Sequence, residues 1–199
     1  MTVLATDTFT RSDADDLGAN WTEVKGGFQI VSNAVQMWGD AGVDSYAFYD
    51  AVAFPNDHYS KAKIVALGAS DSVAGVAVRM TGTAAGGNLA CYVGFVDAAG
   101  TTASIHWWNS GTYQAQLTSF GVTFTAGDTL ELRAVGTTIS LYINGSLAGS
   151  TTDSNLASGS AGLGSYVSVE ANSATWDDWE GGDFGAAPRA QRLLLLGVN

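Results

Sequence analysis

The side chains able to do chemistry are few in this 199-residue chain, and most of them stand alone. His58 and His106 are the only histidines, too few for a histidine-rich metal site. The single cysteine, Cys91, lies in an alternating apolar run, where a thiol serves as inert packing. One cysteine also excludes an intrachain disulfide and any multi-cysteine zinc site. Ser158-Gly159-Ser160-Ala161-Gly162 lacks the first glycine of the G-x-S-x-G nucleophile elbow. Neither a phosphate-binding G-x-x-x-x-G-K-[ST] loop nor a Rossmann glycine pattern occurs. The densest acidic cluster is Asp177, Asp178, Glu180 and Asp183. Strand alternation puts Asp178 and Glu180 on one face and Asp177 on the other, at the end of the fold, which does not suit paired acid–base carboxylates. Asp13-Ala14-Asp15-Asp16-Leu17-Gly18 imitates the start of an EF-hand loop, but Leu17 occupies a ligand position and the closing glutamate is missing. That stretch reads as a solvated acidic turn.

What remains is recognition chemistry. If Val76, Val78 and Met80 face a core, Arg79 faces out; if Cys91, Val93 and Phe95 do, Tyr92 faces out. If Ile105 and Trp107 are core, His106 and Trp108 are exposed, and if Tyr113, Ala115 and Leu117 are core, so are Gln114 and Gln116. One sheet face would then carry Arg79, Tyr92, His106, Trp108, Gln114 and Gln116. Planar rings stack on sugar rings, while Arg, Gln and His bond hydroxyls or carboxylates, so this face reads as a glycan groove. The alternative is a sheet face covered by a loop or by a neighbouring subunit.

The elements that would hold such a face are strands. Period-two runs recur at Val76–Met80, Leu89–Phe95, Ser104–Trp108, Tyr113–Leu117, Thr129–Ala134 and Ile139–Ile143. Gly27–Val31, Ala34–Trp38, Ser45–Phe54, Lys61–Leu67, Gly164–Val167 and Ala174–Trp179 read as further strands. Asn144-Gly145 between apolar flanks predicts a two-residue type I′ hairpin. Asp13 to Leu17 predicts at most one helical turn. The fold class is all-β: a two-sheet antiparallel β-sandwich over residues 1–184. Residues 185–199 form a linker and an apolar C-terminal tail. Leu193, Leu194, Leu195 and Leu196 call for cover, on the chain's own domain or as an interface with a neighbour.

Composition sets the outer limits. Charged residues are 14% of the chain and hydrophobic ones 46%, so it is not an acidic disordered tail. A formal net charge of −11 argues against nucleic acid and anionic membrane as partners. No apolar run approaches the about 18 residues of a spanning helix. The opening MTVLATDTFTRSDADD has neither the basic nor the apolar region of a signal peptide.

Leu130 to Tyr166, with a Leu141-Tyr142-Ile143-Asn144-Gly145 hairpin and an Ala161-Gly162-Leu163-Gly164 return strand, resembles the concanavalin A-like and laminin-G-like jelly-roll sandwiches. Asp7-Thr8-Phe9-Thr10-Arg11-Ser12-Asp13 with Leu17-Gly18-Ala19-Asn20-Trp21 is similar to the start of such modules, and Trp176-Asp177-Asp178-Trp179 to their last strand. The resemblance implies a lectin-type sandwich, of a kind also found in phage structural proteins. It implies a structural Ca2+ where first and last strands meet, with Asp7 and Asp178 as matching ligands. Each Asp could instead cap a strand end. Glycanases of this fold carry an E-x-D-x-E strand, which is missing here. Arg79, Ser104-Ile105-His106 and Tyr113-Gln114-Ala115-Gln116 resemble elements of jelly-roll alginate lyases, but Ser104 replaces their Gln and no Lys precedes Gly111.

The expectation is therefore a non-enzymatic structural or adhesive lectin-like module. Its setting would be a phage virion, as a decoration or tail protein able to contact glycans. It would reach a virion or extracellular particle surface from the cytoplasm without a signal peptide. Its partners would be protein subunits, in a homo-oligomer or a virion, and glycans. The alternatives are a stand-alone carbohydrate-binding module, and a polysaccharide lyase or hydrolase with a degenerate site.

Overall fold

Short alternating runs separated by glycine and asparagine turns give fifteen strands and no helix among the described residues. The computed structural model describes residues 1–38, 42–69, 72–84, 88–167 and 173–184. The linker and tail, including Leu193, Leu194, Leu195 and Leu196, lie outside the described residues.

The first sheet runs β13 (Ser146–Thr152), β12 (Thr138–Ile143), β11 (Thr129–Val135), β6 (His58–Ala66), β15 (Thr175–Asp183), β4 (Ala34–Trp38), β3 (Gly27–Val31), and β1 (Thr2–Asp7) pairs with β15. The second runs β10 (Thr112–Gly121), β9 (Thr102–Asn109), β8 (Ala90–Asp97), β7 (Val73–Thr81), β14 (Ser160–Val167), β5 (Val43–Tyr49), β2 (Trp21–Lys25). Neighbours are antiparallel throughout, as the sandwich expectation requires. The β12–β13 hairpin turns on Asn144 (φ 50°) and Gly145 (φ 77°), both left-handed, as the Asn-Gly pair predicts.

The main core fills the space between the sheets. Val76, Val78, Tyr92, Val96 and Ile105 of the second sheet cluster with Ile64, Leu130, Leu132, Ile139 and Leu141 of the first. Polar links cross the gap: Ser60 Oγ donates to Gly162 O at 2.7 Å and Trp176 Nε1 to Gly75 O at 3.2 Å. A second apolar cluster covers the other face of the second sheet, with Val24, Tyr46, Ala77, Met80, Leu89, Cys91, Val93, Phe95 and Trp108.

Several local expectations differ from this arrangement. β1 and β2 were not expected as strands; β1 is mostly exposed, so its sequence shows little alternation. Asp13 to Leu17 makes no helical turn. Ala14 bridges Ile30 instead, each backbone N donating to the other's carbonyl at 3.0 and 2.8 Å. β5 ends at Tyr49, short of Phe54.

Candidate functional site

The second sheet's outer face is an ordered grid. One row reads Tyr46 on β5, Gly164 on β14, Gly75 on β7, Phe95 on β8 and Ser104 on β9. The next reads Phe48, Gly162, Ala77, Val93, His106 and Gln116. Bulky residues thus stand on the flanking strands, and glycine or alanine occupies the two middle strands. The glycines are required by the rings: a Cβ on Gly164 would lie 2.9 Å from Tyr46 Cε1, and one on Gly75 2.5 Å from Phe95 Cδ1. Rings from the sides therefore fold over a floor of small residues. The result is a groove of about 460 Å³, in the range of small-ligand sites.

Its lining forms a continuous aromatic run. Ring centroids lie 5.3 Å apart for Tyr46–Trp108, 5.7 Å for Trp108–Tyr113, 5.7 Å for Tyr113–His106 and 5.3 Å for His106–Phe95. Tyr113 is 46% exposed and Tyr166, which also lines the groove, 36%. Trp108 is only 6% exposed, with Lys25 Nζ over its ring at 4.3 Å from the centroid. Trp108 therefore builds the base of the groove, and the accessible stacking faces belong to Tyr113 and Tyr166. Polar groups enter from Asp44, Ser104, His106 and Gln116. Ser104 Oγ and His106 Nε2 are hydrogen-bonded at 2.8 Å. Burial pulls the His106 pKa below its ordinary value, against the opposing pull of Asp44. The imidazole is therefore neutral at pH 7. Two polar atoms at the base, Tyr46 Oη and Trp108 Nε1, are buried without a hydrogen-bond partner. Burial, with the Cys91 thiol and Asp44 adding to it, holds the Tyr46 phenol well above the ordinary tyrosine range; the Trp108 N–H, near the phenol but outside hydrogen-bond geometry, opposes this without satisfying either atom.

The structure gathers His106, Trp108 and Gln116 into the groove and places the other expected residues elsewhere. Gln114 sits at a bulge between Tyr113 and Ala115, where its Nε2 donates to Asn109 O and Thr112 O at 3.3 and 3.2 Å. Tyr92 points between the sheets, fully buried; its hydroxyl donates to Asp153 and accepts from Leu156 N at 2.9 Å. β8 is covered on both faces, so apolar alternation carries no sign of which side is which. Cys91, Val93 and Phe95 are on the groove side, opposite to expectation. Arg79 occupies a bulge in β7 with φ 52°, and its guanidinium is 3% exposed. It donates to Asn56 O, Leu156 O and Gly136 O at 3.1, 2.8 and 2.7 Å and pairs with Asp57 at 3.6 Å. It clamps three turns at one end of the sandwich and offers nothing to the groove. The same bulge brings Met80 to the groove side. Tyr113, expected in the core, faces the groove because bulges in β10 shift the alternation twice. Sequence reasoning also missed Asp44, Tyr46, Phe95 and Tyr166. The available signal was glycine at alternate positions of β14, Gly162 and Gly164, since glycine inside a strand marks a close approach.

The Asp7–Asp178 calcium site does not fit these residues. The Asp7 carboxylate already accepts from Phe9 N at 2.8 Å, Arg11 Nη1 and Nη2 at 2.7 and 3.1 Å, and Trp21 Nε1 at 2.9 Å. A cation there would compete with the Arg11 guanidinium. Among the described residues no three His, Cys, Asp or Glu side chains group as metal ligands.

This two-sheet antiparallel sandwich has the concanavalin A-like jelly-roll fold. Solved structures of that class superpose over most of the chain. A carbohydrate-binding module CBM66 from Bacillus subtilis is 18% identical with a TM-score of 0.63, covering 83% of this chain and 98% of that one. A β-1,3-1,4-glucanase (lichenase) from a mouse hindgut metagenome is 12% identical with a TM-score of 0.59, covering 90% and 98%. The exoplasmic/lumenal domain of VIP36, in a Ca2+/Man3GlcNAc-bound form, is 12% identical with a TM-score of 0.58, covering 83% and 84%. At these identities the likeness is one of fold. No family model matches the chain. No curated protein matches it in sequence.

Proposed function

We propose that this chain is a non-enzymatic carbohydrate-binding module that holds its ligand in the concave groove of the second sheet. The observation that carries the reading is the groove itself. Two exposed rings, Tyr113 and Tyr166, line it above a base holding two buried, unpartnered polar atoms, Tyr46 Oη and Trp108 Nε1. Apolar sugar faces stack on the rings, and sugar hydroxyls meet Ser104, His106 and Gln116. Names among the structural neighbours support it: one is a carbohydrate-binding module and another is bound to Man3GlcNAc. A glucanase neighbour raises the enzymatic alternative. Against it, Asp44 is the only carboxylate lining the groove among the described residues, and it is paired with Lys25 at 3.0 Å. Glycoside hydrolysis uses two carboxylates flanking the bond.

A glycan array followed by titration tests the reading. Tyr113→Ala and Tyr166→Ala are each expected to weaken binding by about tenfold or more, since an aromatic contact contributes on the order of 1 kcal/mol beyond the area it buries. Unchanged affinity in both variants would reject the groove as the site.

The setting we propose is a phage virion or similar particle, with Leu193 to Leu196 seated on another subunit. The support is the sequence: four consecutive leucines after Arg189 and Arg192 on an otherwise acidic chain. Light scattering with and without residues 186–199 reads self-assembly directly. A monomer in both cases removes the homo-oligomer.

A further inference from the structure

We propose, building on the glycan reading above, that the groove selects uncharged saccharides over acidic ones because it offers an acid no free cation among the described residues, and that Lys25, by neutralising Asp44 beside the groove, keeps cationic sugars from being favoured.

The described Lys and Arg side chains are already engaged. The sequence has eight Lys and Arg residues, and Arg189 and Arg192 lie outside the described residues. Arg11 is bound to Asp7, Arg133 to Glu131 at 2.7 Å and Lys61 to Glu180 at 3.0 Å. Lys63 pairs in register with Asp177 on the first sheet. Arg79 is spent on three carbonyls and Asp57. Of the described Lys and Arg residues, Lys25 is the one whose charge is held by groove-lining side chains. It is held from both sides, 3.0 Å from Asp44 Oδ2 and above the Trp108 ring.

A carboxylated or sulfated sugar in this groove would therefore meet no free cation among the described residues. It would face the Asp44 carboxylate, a neutral imidazole at His106 and the field of a chain with net charge −11. Anion recognition is built on a charged donor, usually a forked Arg pairing with the acid. An uncharged sugar needs none, and the remaining groups suit it. Tyr113 and Tyr166 offer ring faces, and Ser104, His106 and Gln116 offer neutral donors and acceptors. The Lys25–Asp44 pair leaves the wall without net charge. Removing the lysine charge would uncover a carboxylate, which favours a cationic ligand.

Calorimetric titration of the full chain tests this. The uncharged probes are laminari-, cello- and manno-oligosaccharides and short fructans. The acidic ones are oligogalacturonate, alginate oligomers and heparin fragments. The cationic one is a set of glucosamine oligomers. We expect at least one uncharged probe to bind, to lose affinity in Tyr113→Ala, and to be insensitive to salt. Acidic probes should bind at least tenfold more weakly. Lys25→Met keeps the stem over Trp108 and removes the charge; it should raise affinity for glucosamine oligomers several-fold at low salt. An acidic probe that binds as tightly as the uncharged ones, and is lost in Tyr113→Ala, overturns this inference and leaves the glycan reading standing. No gain for glucosamine oligomers in Lys25→Met overturns the role of Lys25. Absence of binding by every saccharide removes the glycan reading, and this inference with it.

Discussion

His58 shows how one buried ring ties the sandwich together. It is fully buried, and its Nδ1 lies 2.7 Å from Pro55 O while Nε2 accepts from Arg79 N at 3.0 Å. Those contacts specify the neutral tautomer, with the proton on Nδ1. Burial first, and then the Arg79 charge, lower its pKa from 6.5 to about 4. The unfolded chain takes up this proton below pH 6.5, and the folded chain only near pH 4. The stabilising effect of His58 is therefore complete above pH 6.5. It drains away as the pH falls towards 4, by about 3 kcal/mol in all. Urea midpoints at pH 7 and pH 4.5 check this. His58→Gln should be the less stable protein at pH 7, and the gap between the two proteins should narrow at the lower pH. A constant gap would mean that His58 does not titrate in this window. Asp7 makes a second prediction at the same scale. Because Arg11, Trp21 and Phe9 already occupy its carboxylate, neither added Ca2+ nor a chelator should move the melting temperature. A calcium-dependent rise of several degrees would restore the ion to that junction.

Strands decide which of these residues could be found in advance. β9 alternates cleanly, so His106 and Trp108 were legible as groove residues and Ile105 as core. β8 was not legible, because both of its faces are covered and apolar residues occupy every position that could have distinguished them. β7 and β10 failed for another reason. A bulge at Arg79 and two bulges in β10 reverse the alternation partway along, and bulge positions leave no mark in an apolar–polar pattern. Arg79 looked like a ligand-binding cation because bonds to three main-chain carbonyls have no signature in sequence. β14 carried information that went unread. Its Gly162 and Gly164 lie on the groove floor, and the neighbouring strands come too close for side chains. A Cβ on Gly162 would lie 2.1 Å from the Ala47 carbonyl oxygen, a backbone atom that cannot swing aside. Gly162→Ala should therefore cost roughly 1–3 kcal/mol or more, as overpacking does. Gly121, with nothing within 4 Å of its would-be Cβ, is the control, and alanine there should change stability by no more than about 0.5 kcal/mol. Thermal melts of the two variants separate a steric requirement from a general intolerance of alanine.

At the scale of the whole molecule, the last strand holds the first sheet together. β15 sits between β6 and β4 and also pairs with β1, so strands from both ends of the chain and from its middle meet on it. It carries Trp176 and Trp179, among the largest fully buried side chains. Trp179 stacks on Tyr49 with centroids 5.2 Å apart and meets Trp21 edge-on at 4.7 Å, and both of those rings come from the second sheet. Its Nε1 donates to Ser60 Oγ at 3.0 Å, and that hydroxyl donates across the gap to Gly162 O. Losing β15 would thus open the first sheet at its centre and unpair the two sheets at once. A chain ending at Ala174 should show no cooperative unfolding transition, whereas one ending at Phe184 should melt in a single sharp step. The same topology makes folding slow. β1 finds its partner only after almost the entire chain has been placed, and such non-local pairing puts all-β domains in the millisecond-to-second range or beyond. Stopped-flow refolding of the chain ending at Phe184 reads that rate, and a sub-millisecond phase carrying the full amplitude would mean that the β1–β15 closure does not limit assembly.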